Sequence, residues 1–124
     1  MNYRHLTWLT ALALCGCNDK ASRPETAEAA PPEPLKWLAD ANPDKDAKSA
    51  IAAKDFRLLA ISGRGLMLPG ITESDKEKAK QQCGIRYMEG MGDVIKDKQY
   101  KQWWDKGKQY AQSYNTLVSA YCVK

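Results

Sequence analysis

The residues of this chain whose types could do chemistry are few: four cysteines, one histidine and 15 acids among 124 residues. Cys83 and Cys122 stand apart and Cys15 and Cys17 are separated by one residue, so there is no Cys-x-x-Cys pair for thiol exchange or zinc. The sole histidine, His5, sits in a stretch with the layout of an export leader. With that leader removed the chain has no imidazole. This excludes Ser-His-Asp and Cys-His catalysis and every histidine metal site. No metal and no cofactor is implied. Glu89 with Asp93, or Asp55 with Asp93, could pair as acid and base, but nothing sets their separation and solvated loop acids are the simpler reading. Gly63-x-Gly65 and Gly90-x-Gly92-Asp93 lack the spacing of a P-loop or dinucleotide fingerprint, and they read as tight turns.

Residues 1–17 have three parts. Arg4 supplies a positive start, residues 6–14 (LTWLTALAL) form an apolar run, and small residues lead to Cys17. The run is shorter than the ~20 apolar residues that span a bilayer, so it reads as a processed leader rather than a transmembrane helix. Leu14-Cys15-Gly16-Cys17 resembles the lipobox of bacterial lipoproteins, an aliphatic residue three before the cysteine and then two small ones. The resemblance covers residues 1–17 alone, and Cys15 at its middle position is less typical than a small residue. It implies a signal peptide of residues 1–16, cleavage before Cys17, and acyl chains (palmitate among them) on that cysteine. A plain secretory leader with incidental cysteines is the competing reading. Each buried methylene contributes ~0.8 kcal/mol, so several chains on one cysteine would make release negligible. Asn18 stands where retention in the inner membrane favours aspartate. The resemblance therefore implies the cell outer membrane, facing the periplasm, with surface exposure left open.

After such processing two cysteines remain, Cys83 and Cys122. An exported chain with two cysteines in its folded part most often joins them, and a structural disulfide bond is expected. The closed segment is 122 − 83 + 1 = 40 residues, for which loop-closure entropy assigns roughly 4 kcal/mol.

Residues 17–34 hold the lipidated cysteine and a tether. Residues 18–34 (NDKASRPETAEAAPPEP) lack aromatic and large aliphatic side chains, and Pro24, Pro31, Pro32 and Pro34 break any helix. Such a segment spans ~20–25 Å as a coil and approaches ~50 Å when extended. Residues 35–124 form the expected globular domain, with 16 basic and 11 acidic residues and hence a charge of +5.

The elements of that domain can be read in turn. From Tyr100, at 100° per residue, Trp103, Trp104, Gly107, Tyr110, Ala111, Tyr114, Leu117, Val118, Tyr121 and Cys122 share an arc of roughly 140°, while Lys98, Lys101, Asp105, Lys108, Gln109, Gln112 and Thr116 lie opposite. This predicts an amphipathic helix of six turns or more, capped by Asp97. Gly107 within the arc predicts close approach by another backbone. A second helix is expected from Ser74, boxed with Glu77 and ended by Gly84, so Cys83 and Cys122 would staple two helix ends. A third starts at Asn42-Pro43 and runs through Ala47, Ala50 and Ile51. Residues 56–61 (FRLLAI) read as helix or buried strand, residues 66–68 and 85–88 as short strands, with turns at Gly63-Arg64-Gly65 and Pro69-Gly70. The preferred fold class is α+β, a small single domain with a long C-terminal helix; the alternative is all-α.

The aromatic arc could be a stacking platform, but its spacing is that of core packing. Trp103 and Trp104 are 100° apart, and one of them at the rim would be a contact candidate. The lysines at 96, 98, 101, 106 and 108 read as a solvated face before a site for an anionic partner or lipid headgroups. No nucleic acid partner is expected. The expected function is that of a non-enzymatic, lipid-anchored envelope protein that binds another macromolecule, as accessory subunit, inhibitor or immunity-type protein, or exclusion factor. A cell-wall-active enzyme using Glu89 and Asp93, and a structural contact protein acting through the +5 charge, are the alternatives. Candidate partner contacts are Arg64 and Met67 in the first glycine-bounded loop, Met91 in the second, and Lys101, Asp105 and Lys108 on the polar helix face. Met67 and Met88 carry the strongest competing role in packing.

Overall fold

The computed structural model describes residues 28–92 and 94–124. The leader, Cys17, the tether through residue 27, and Asp93 lie outside the described residues. The architecture is α+β. In chain order it has a 3₁₀ segment Glu33–Ala39, α1 Pro43–Ala52, β1 Leu58–Ile61, β2 Gly65–Leu66, α2 Glu73–Cys83, β3 Ile85–Tyr87 and α3 Lys98–Cys122.

β1 is the middle strand of a three-stranded sheet ordered β2-β1-β3. All four of its residues are buried, so both faces are covered and the segment reads as an unbroken apolar run. β2 pairs antiparallel, with Ala60 opposite Leu66. The joining turn closes where Arg64 N–H donates to the Ile61 carbonyl at 3.0 Å, with Gly63 at φ +74°, a conformation that favours glycine. β3 pairs parallel, with Leu59 opposite Arg86. A parallel neighbour needs a crossover, and α2 supplies it.

The helices start at side-chain caps. Asn42 Oδ1 accepts from Lys45 N–H at 3.0 Å with Pro43 in the first turn, and Asp97 Oδ1 accepts from Tyr100 N–H at 2.7 Å. α2 corrects the expected start. Its cap is Thr72, not Ser74: the Thr72 hydroxyl oxygen accepts from Asp75 N–H at 3.1 Å and donates to the Asp75 carboxylate at 2.9 Å. Thr72-x-x-Asp75 is a second box two residues upstream, and extended backbone at Thr72 selects it. Gly84 ends the helix as expected, at φ +75°.

Cys83 and Cys122 are bonded, with Cα atoms 5.2 Å apart. The bond joins the last residues of α2 and α3.

Three expectations are corrected by packing. The packed unit begins before Leu35: Trp103 Nε1 donates to the Ala29 carbonyl at 2.9 Å, Gln99 donates to the Ala30 carbonyl, and Lys106 pairs with Glu28. Leu35 and Leu38 of the 3₁₀ segment are buried. Tryptophan and lysine side chains of α3 thus bind a proline-rich strip whose own composition offers little to a core. Gly107 meets the Met91 side chain, not another backbone; a Cβ there would strike Met91 Sδ. Met91 is consequently 3% exposed, and the interface role expected of it gives way to packing.

Candidate functional site

A cleft of ≈600 Å³ opens between α1, β3 and the face of α3. Ser49 and Ala50 of α1 and Ala53 at its C-cap make one wall, with Asp46 and Asp55 at its ends. The consecutive residues Arg86, Tyr87, Met88 and Glu89 make the other. Leu59, Tyr110 and Tyr114 line it from the sheet and α3, and Trp37 comes from the 3₁₀ segment.

The aromatic groups hold one another. Trp37 meets Tyr110 edge-on with centroids 5.4 Å apart, and Tyr110 lies stacked against Tyr114 at 6.2 Å. The Trp37 Nε1–H donates to the Glu89 carbonyl at 3.1 Å, fixing the far end of the β3 wall. The Tyr110 hydroxyl donates to Asp46 Oδ2 at 2.9 Å. Burial first, and then this bond to a carboxylate, push its ionisation well above the usual phenol range. Tyr114 is 1% exposed, and burial also raises its ionisation. Its hydroxyl has no hydrogen-bond partner among the described residues, and no side-chain oxygen fully shut from solvent lacks one. Tyr114 lines the cleft.

The charged groups divide into a closed pair and open ones. Arg57 grips Asp55 with two bonds of 2.8 Å, which lowers the Asp55 carboxyl from 3.8 to about 2. Asp46, Glu89 and Arg86 have no ion-pair partner among the described residues. No three histidine, cysteine or acidic side chains among the described residues could hold a metal ion. Among them, too, no helix is long and apolar enough to cross a membrane.

The contact residues expected from the sequence are not brought together here. Arg64 is exposed, with its guanidinium 5.7 Å from the Trp104 ring centre. Met67 is half-buried against the core and Met88 is buried within it. Lys101 pairs with Asp105 at 2.6 Å on the outer face of α3, where Lys108 is also exposed. Trp103 and Trp104 are both buried, so neither is a rim residue. None of these except Met88 lines the cleft. Glu89 is a cleft residue, but its supposed partner Asp93 is outside the described residues. Cys83 and Cys122 serve the disulfide alone.

The cleft itself was not legible in the sequence. Asp46, Arg86 and Tyr114 are 40 and 28 residues apart along the chain, and no local spacing links them. Compared with known proteins, the chain matches no family model, no curated protein and no solved structure. The functional reading therefore rests on the residues and their geometry.

Proposed function

We propose that this is a lipid-anchored protein of the bacterial envelope, held through acyl chains on Cys17, whose folded unit binds a protein partner and does no chemistry of its own. The single observation that carries the binding reading is the cleft, an aromatic-floored hollow with small side chains on one wall and open charges at its rim. Two of its polar groups suit recognition better than proton transfer. Asp55 stays ionised down to about pH 2, and Tyr110 holds its proton through the alkaline range. Neither exchanges a proton near neutrality, where a general acid or base must. A tether beyond the described residues would let the unit reach its partner as accessory subunit, inhibitor or exclusion factor.

The test uses the full chain in envelopes. A photo-crosslinking residue at Ser49, on the cleft wall, is expected to give one discrete adduct, and the same residue at Lys78 on α2 is expected to give none. Metabolic palmitate label is expected on the parent chain and lost in Cys17→Ser. Label that persists in that variant removes the anchor. Absence of any Ser49 adduct from labelled, folded protein removes the binding role.

A further inference from the structure

The wall made by β3 is an unpaired strand edge. In a parallel ladder alternate residues turn their N–H and C=O groups toward the same neighbour. Leu58 N–H donates to the Gly84 carbonyl and Met88 N–H to the Ala60 carbonyl, each at 2.9 Å. With Leu59 opposite Arg86, the backbone groups of Gly84, Arg86 and Met88 face β1. Those of Ile85 and Tyr87 face away from it. The sheet ends at β3, and no described residue hydrogen-bonds the Ile85 or Tyr87 backbone on that side.

Across the cleft stand Ser49, Ala50 and Ala53, which leave room for a backbone that larger side chains would exclude. Sheet edges are normally covered or blunted because they recruit strands. Here Tyr87, one of the two outward-facing residues, lines a cleft instead. We propose that the cleft receives an extended peptide segment of a partner protein as a fourth strand against β3, with a lysine or arginine of that segment seated beside the Asp46 carboxylate. This rests on the binding role proposed above and names its mode, strand addition with a side-chain pocket beside it.

Charge selects the basic side chain. The domain from residue 35 carries +5, yet this cleft is locally acidic: Asp55 is neutralised by Arg57, and Asp46 and Glu89 together outweigh Arg86. A second copy of this chain fits less well, since two-fold antiparallel pairing centred on β3 would set Arg86 against Arg86.

The probe is a panel of acetylated, amidated hexapeptides randomised at every position but one, held as lysine, arginine or glutamate, and selected on the full chain. Lysine or arginine peptides are expected to bind about tenfold more tightly than their glutamate counterparts. Asp46→Asn should erase that difference. Bound peptide should slow amide exchange at Ile85 and Tyr87 about tenfold, and N-methylation of alternate peptide amides should abolish binding. Ser49→Trp, on an exposed position, should block the cleft without moving the melting temperature. Peptides selected without protection of Ile85 and Tyr87, equal binding of lysine and glutamate peptides, or no peptide selected at all would each overturn strand addition. So would protection of those two amides in the free, dilute chain, which would assign the edge to the chain itself. If Ser49 still crosslinks in envelopes while the peptides fail, the binding role stands and only this mode falls.

Discussion

On the β2 side of the sheet, the Asn115 side chain accepts from Leu59 N–H at 2.6 Å and donates to the Leu59 and Met67 carbonyls at 2.8 and 2.6 Å. It is 0% exposed. Its amide continues the ladder where β2, only two residues long, has stopped. On the β3 side no side chain among the described residues does the same: the backbone groups of Ile85 and Tyr87 point away from β1, and Tyr87 lines the cleft. The two edges of one small sheet are thus finished in opposite ways. A buried backbone group left unpaired costs about 1–3 kcal/mol, so the edge inside the core must be closed by the fold. An edge beside solvent carries no such cost and can be left for a partner.

The largest test of this contrast is the staple. Cys83 lies two residues ahead of Ile85, so the bond to Cys122 anchors the open strand to the end of α3. Replacing both cysteines by serine is expected to cost about 4 kcal/mol by loop entropy, measured by chemical denaturation, with exchange protection lost first where β3 joins β1. Protection lost first at β2 would reverse the assignment of the two sides. Next is Asn115→Ala, expected to cost about 3 kcal/mol by orphaning the Leu59 N–H and the Met67 carbonyl. Exchange at the β1–β2 hairpin should rise while β3 is spared. A loss under 1 kcal/mol would mean that β2 needs no such closure.

The smallest effect is at Asp55, beside the open edge. Its carboxyl ionises at about 2 in the fold against an ordinary 3.8, so the unfolded chain binds the proton more readily. The Arg57 pairing therefore adds stability that is complete above about pH 4 and is lost as the pH falls through about 2. Asp55→Asn should flatten the melting temperature between those values, lowering it slightly at pH 7 and leaving it nearly unchanged below about pH 2. An unaltered acid slope would remove the pairing from the account.

The long helix was legible because its burial depends on its own periodicity. Even so, the arc read from the sequence stopped about 20° short of Asn115 and included Tyr121, which is 60% exposed. Neither face of that wheel included Asn115, and only the proximity of β1 and β2 explains why a carboxamide is buried there. Tyr121 errs the other way. Its ring stacks on Phe56 at 6.3 Å near the edge of the fold, a contact no wheel contains. Residues 56–61 stayed ambiguous for a similar reason: a strand covered on both faces has no alternation to distinguish it from a buried helix.

By itself the sequence determined the long helix and its Asp97 cap, the Asn42-Pro43 start, the Gly84 stop, and the two cysteines available to pair. Each of these is a local property, set by backbone conformation or by the repeat of a single element. The tertiary structure alone decided which strands became neighbours, that Asn115 closes one edge, that Met91 fills the notch at Gly107, and that α1 stands opposite β3 across a cleft. Those depend on residues far apart in the chain meeting in space, and one chain's order of side chains carries no distance between them.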